Sequence, residues 1–182
     1  MKGSDRPDVA ALEQFLISIG VDEDRDPEYA LTAALLAELL FERTAGLRSP
    51  EPTIAPIPYR GRPDEIVGMD SMRFYGLCPH HLVPYVGEAF VRIIPGERIA
   101  GAGALARVVR EIALTPRLQE SFTQTLADIM ERDLAPAGLA VRVVGRHFCM
   151  ELKGSTPGAR LITEAHRGAP LPGRATGRHG RS

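Results

Sequence analysis

Apolar residues recur along the first fifty positions at helical spacing. Val9, Leu12, Phe15, Leu16 and Ile19 share one face of a 3.6-residue period, with Asp8 placed as a cap and Gly20 as a stop. A second helix is predicted behind Asp26 as N-cap and Pro27 at its first position; Leu31, Leu35, Leu39 and Leu40 line its face, and Gly46 ends it. The proline-rich stretch that follows has no helical period, so residues 48–64 read as a connector and residues 1–47 as an N-terminal helical segment.

Beyond Asp64 the period changes. Extended segments are predicted at Glu65–Leu77 and Val86–Pro95, the second closing in the turn Pro95-Gly96-Glu97. Two helices come next, one carried by Leu105, Val108, Val109 and Ile112, the other by Leu118, Phe122, Leu126, Ile129 and Met130, with Thr115 and Pro116 at its start. Leu139–Val144 and Phe148–Lys153 return to strand character, with further extension around Ala159–Thr163. Strand, strand, helix, helix, strand, strand predicts an α+β unit over residues 65–167, an antiparallel sheet with helices on one face. Residues 168–182 lack an apolar period and are expected to form a disordered basic tail.

Composition narrows the partners. The 182 residues are 44% apolar and carry a formal charge of −1, which gives no reason to expect nucleic acid. No apolar run approaches the roughly 18 residues that span a bilayer, and the N-terminus lacks a secretory h-region, so a cytoplasmic protein without membrane contact is expected. In that reducing compartment the two cysteines are better read as a metal or catalytic pair than as a disulfide.

Both cysteines stand beside histidine, in Cys78-Pro79-His80-His81 and in His147-Phe148-Cys149. Zinc takes thiolate and imidazole ligands, and a catalytic site uses three of them and leaves a fourth position to water. Cys78, Cys149 and one of His80 or His81 would make such a set. The Cys-x-x-His spacing suits Cys78 and His81, while His147 and Cys149, two apart on an expected strand, would share a face. That arrangement leaves His80 and His147 beside the metal, and imidazole near neutral pH gives and takes protons readily. A closed four-ligand structural zinc and a pair of inert buried cysteines are the alternatives. The glycines at 101 and 103 do not make a phosphate loop, because no Gly-Lys-Ser/Thr follows them.

The run Cys78-Pro79-His80-His81-Leu82-Val83-Pro84-Tyr85-Val86-Gly87, the stretch from Ile94-Pro95 to Ala106-Arg107, the pair Gln119-Glu120 and the segment His147-Phe148-Cys149-Met150 together resemble the GTP cyclohydrolase I family. The resemblance implies that Cys78, His81 and Cys149 ligate Zn2+ and that His80 and His147 are the catalytic histidines. It implies that Gln119 and Glu120 read the guanine edge, where a carboxylate can accept from both N1–H and the exocyclic amine. Arg107 matches a triphosphate-binding arginine, and Lys153 stands where the family usually has another. The implied reaction opens the imidazole ring of GTP at C8, releases formate and recloses to 7,8-dihydroneopterin triphosphate. A tunnelling fold is implied as well, in a ring-shaped homo-oligomer, usually a decamer, with active sites at subunit interfaces.

Departures fall on the phosphate and ribose side. Gly103-Ala104 replaces a Ser-Lys pair, Tyr29 follows Asp26-Pro27-Glu28 where an arginine is usual, and Pro79 replaces an acidic residue. Each charge-assisted hydrogen bond contributes about 1.5–3 kcal/mol, so two lost cations would weaken triphosphate binding by roughly two to four powers of ten unless Arg25, Arg43 or the C-terminal arginines replace them. Two further readings follow: the same ring opening on a less phosphorylated nucleotide or stopped before the ribose rearranges, and a non-catalytic zinc-binding relative.

Overall fold

A computed structural model describes residues 7–154 and 157–171. Helix α1 spans Val9–Ser18 with Asp8 accepting from the Ala11 N–H at 3.2 Å, and it ends at Gly20, whose φ of 89° suits glycine. Asp26 does cap a helix, but only the single 3-10 turn Pro27–Tyr29; α2 then starts afresh at Thr32 and runs to Arg43. Its entry at Leu31 has no side-chain cap, so Leu31 lies just outside the helix rather than on its face. The predicted apolar faces exist, but within one chain they are mostly uncovered. Leu16 and Ala37 are buried, whereas Phe15 is 58% exposed and Leu35 60%.

Two-residue strand β1 (Ile57–Pro58) pairs with β4 (Arg98–Ile99), so the connector is tied to the turn after β3. The main sheet has the order β2-β3-β5-β6 with every pair antiparallel, where β2 is Val67–Leu77, β3 Pro84–Ile94, β5 Gly138–His147 and β6 Leu161–Gly168. On β3 the period of two is plain: Tyr85, Ala89, Val91 and Ile93 are buried on the face that receives α3 (Ala102–Ile112) and α4 (Gln119–Leu134). Leu105, Val108, Val109 and Ile112 come from α3, and Phe122, Leu126, Ile129 and Met130 from α4, which is the apolar period read from the sequence. Phe122 stacks on Phe74 with ring centroids 4.2 Å apart, joining helix layer to sheet.

Three local expectations are corrected. Phe148–Lys153 is not a strand: α5 covers Phe148–Leu152, and the fourth strand lies later and longer than expected, at Leu161–Gly168. Phe-Cys-Met-Glu-Leu holds no β-branched residue and three good helix formers, while Ile162 and Thr163 suit the later strand. Consequently His147 and Cys149 do not share a strand face. Nor do Thr115 and Pro116 open α4; the Arg117 N–H donates to the Leu77 carbonyl, which keeps the chain extended until Leu118. The expected tail beyond Leu171 lies outside the described residues, and β6 takes in its first residue, Gly168. Among the described residues no helix is long and apolar enough to cross a membrane.

Candidate active site and metal centre

Antiparallel register gathers the two cysteine motifs at one end of the sheet. Leu77 at the end of β2 pairs with Pro84 at the start of β3, and Tyr85 pairs with His147 at the end of β5. Cys78 just after β2 and Cys149 just after β5 therefore stand at the same end of the sheet. The loop between β2 and β3 is closed by two backbone bonds, Cys78 N–H to the Val83 carbonyl at 3.0 Å and Leu82 N–H to the Cys78 carbonyl at 2.8 Å. Leu82 takes a left-handed conformation, φ 51°, to complete it, a cost the loop accepts because both bonds depend on it.

The first turn of α5 swings Cys149 back over this loop. The donor atoms of Cys78, His81 and Cys149 lie within 4.8 Å of one another. Two sulfurs and one imidazole nitrogen in that space fit a soft divalent cation such as zinc. Burial, and then the neighbouring Cys78 thiol, push the Cys149 thiol above its ordinary value, a crowding that a bound cation relieves. Lys153 Nζ sits 2.9 Å from His81 Nε2, linking the end of α5 to the ligand loop.

His80 is exposed, with Nδ1 3.8 Å from the Cys78 sulfur. His147 is half-buried and lies parallel to the Tyr85 ring, 4.6 Å between centroids. Burial lowers its affinity for a proton, and the Glu120 carboxylate opposes that shift, which places Glu120 within electrostatic reach of the ring. Glu120 itself is exposed in the first turn of α4, whereas Gln119 beside it is wholly buried with its amide oxygen 3.0 Å from His147 Nε2.

Arg107 binds Glu111 at 2.7 Å and the Thr53 carbonyl at 2.8 Å, and it lines a cavity of about 800 Å3 that includes Arg117 but no residue of either cysteine motif. Of the arginines considered as replacements, Arg43 donates to the Tyr75 carbonyl on β2. Tyr85, Gly145 and Thr163 also stand at the site. Their part comes from cross-strand register and packing, which leave no local mark in the sequence.

A family model for GTP cyclohydrolase I matches residues 9–176. The chain belongs to the GTP cyclohydrolase I family. Membership makes the protein an enzyme, a GTP cyclohydrolase. The GTP cyclohydrolase 1 of Rhodopirellula baltica is 37% identical over 162 residues, 88% of this chain and 70% of that one. Those of Thermobifida fusca and Listeria monocytogenes are 37% identical over 171 residues and 36% over 172, covering 92% and 93% of this chain and 82% and 90% of theirs. Among solved structures, an archaeosine synthase QueF-Like protein in its apo form aligns with a TM-score of 0.51 and 16% identity, over 62% of this chain and all of its own. At that identity the likeness concerns the fold alone, and the fold is the tunnelling fold, here preceded by the N-terminal helices.

Proposed function

We propose that the protein opens the imidazole ring of GTP at C8, releases formate and forms 7,8-dihydroneopterin triphosphate, with Zn2+ held by Cys78, His81 and Cys149. The carrying observation is the convergence of those three donors, within 4.8 Å, at the same sheet end as His147 and Glu120. Zinc bound by these ligands supplies Lewis acidity, making water a nucleophile near neutral pH.

The rest falls to side chains of the chain. Glu120 accepts from the guanine N1–H and amine and so sets C8 against the metal centre. Gln119, its neighbour, backs His147 with its side chain. His147 hands a proton to the imidazole nitrogen as the ring opens, and His80 is its partner in the later proton transfers that release formate. Lys153 and Arg107 bind the triphosphate. Arg107, which lines a cavity together with Arg117, would serve an active site shared between subunits of a ring-shaped homo-oligomer, a decamer in the usual case. The proposed domain limits are a helical segment 1–47, a connector 48–64, and a catalytic unit from residue 65 that runs on through Gly168, the last residue of β6, rather than ending at 167, with a tail after it.

One observation favours a second reading. At the start of α3, Gly101 and Gly103 face open space and Ala104 brings no charge, so one chain offers few phosphate contacts there. A less phosphorylated guanine nucleotide, or an arrest before the ribose rearranges, fits that thinning. Zinc-loaded protein incubated with GTP, GDP, GMP and guanosine, with formate and pterin fluorescence followed together, separates the cases. Formate with pterin from GTP is expected; formate without pterin supports arrest, and turnover of none refutes both.

A further inference from the structure

Gln119 opens α4 with a side chain that no water reaches. Its Nε2 lies 3.2 Å from the Val143 carbonyl, 3.1 Å from the Leu161 carbonyl and 3.1 Å from Thr163 Oγ1. Three acceptors around one nitrogen decide which end of the amide is which. Turned over, the amide oxygen would face two carbonyl oxygens.

The hydroxyls behind it agree. Thr123 donates to the Gln119 carbonyl at 2.9 Å, so Thr163 donates to Thr123 across 2.6 Å and its oxygen accepts from the Gln119 amide. The amide oxygen is thus aimed at His147, 3.0 Å from Nε2. An oxygen that only accepts calls for a nitrogen that donates, so the neutral ring carries its hydrogen on Nε2. Tyr85, directly across the β3–β5 ladder, sets the plane of the ring, with 6° between the two. Gly145 leaves the room: a Cβ there would stand 2.1 Å from the amide oxygen and 3.4 Å from Nε2.

We infer that Gln119 is the positioning residue of His147, its buried amide clamping Nε2 and leaving Nδ1 to exchange the proton with the purine. This rests on the part proposed for His147 in ring opening. It differs from a guanine-reading role for the Gln119 amide, and kinetics separate the two.

The test uses the full-length, zinc-loaded protein and its Gln119→Met and Thr163→Val variants. Zinc content, kcat and KM for GTP, and the 15N–1H spectrum of the histidine rings are measured. Gln119→Met should keep its zinc and its KM within about twofold, lose roughly 10- to 100-fold in kcat, and lose the Nε2–H signal of His147. Thr163→Val, which removes one acceptor but leaves the amide in place, should give the same effects in smaller measure and carries the kinetic test if Gln119→Met does not fold. A raised KM with unchanged kcat would overturn the inference and return the amide to the guanine edge. A neutral wild-type His147 whose single ring hydrogen sits on Nδ1 would overturn it too. The wild-type spectrum needs no turnover, so if GTP proves not to be the substrate, the tautomer still decides the clamp.

Discussion

Each residue at the site is held by a contact that predicts what its loss does. Cys149 supplies one of three donors, so Cys149→Ser should release the metal and abolish activity, checked by metal analysis after gel filtration and by formate release. His147 is no part of that donor set. His147→Ala should therefore retain zinc yet lose ring opening; full activity in that variant would refute its assigned role. Gly145→Ala reaches the same chemistry from behind. The added methyl meets the amide oxygen of Gln119, whose buried nitrogen is held by three acceptors, so overpacking of about 1–3 kcal/mol is expected. The larger effect should be on kcat, because the amide oxygen that the methyl displaces is the one holding His147. Thermal melting and steady-state kinetics on the same preparation give both numbers. The cysteines, histidines and Glu120 were legible in the sequence because metal and proton chemistry restrict residue type. Tyr85, Gly145 and Thr163 were not, since strand register alone makes them neighbours of His147 and Gln119.

Among the elements, α5 matters most for the site, although its sequence alone predicts a strand. Five residues give too little length for periodicity, and only their tertiary place, with Arg146 gripping Glu151 and Cys149 turned toward Cys78, shows why a helical turn forms there. The connector is a second case. Its Ile54 is buried in the core, and the Ile54 N–H donates to Asp133 Oδ2 at 2.7 Å at the C-terminal end of α4, while Arg132 reaches Glu51 and the Pro52 carbonyl. Arg132, beside Asp133, holds that carboxyl below its ordinary 3.8, with the Ile54 N–H adding to the effect. The folded state thus prefers the ionised form. Its stabilisation is complete above the ordinary value and disappears as pH falls through the lower, folded one. Asp133→Asn should cost about 1.5–3 kcal/mol at neutral pH, as expected for hydrogen bonds to a charged group. The gap between variant and wild type should close in acid. Denaturant unfolding of both proteins from neutral pH down to about pH 3 checks it; a gap unchanged with pH would contradict the strap.

For the whole molecule, a single chain leaves much unfinished. Sheet edges β2 and β6 have no further strand partner within the four-stranded sheet, and α1 and α2 turn Phe15, Leu35 and Leu39 outward. Both features fit the proposed ring, in which neighbouring sheets close the edges and helices cover one another. Leu35→Glu with Leu39→Glu should shift the sedimentation profile to smaller particles and reduce turnover, since Arg107 would no longer reach a neighbour's site; an unaltered particle size would count against this face as an interface. The sequence by itself determined the helical periods of α3 and α4, the two long strands β2 and β3, and the set of residues able to bind metal and move protons, because apolar spacing and ligand chemistry are local properties. Only the tertiary structure decided that β5 gives way to a helical turn at Cys149, that Gln119 faces His147, and that Arg107 is held by Glu111 and the Thr53 carbonyl. Those outcomes depend on register and packing between segments far apart in sequence, and no local period encodes them.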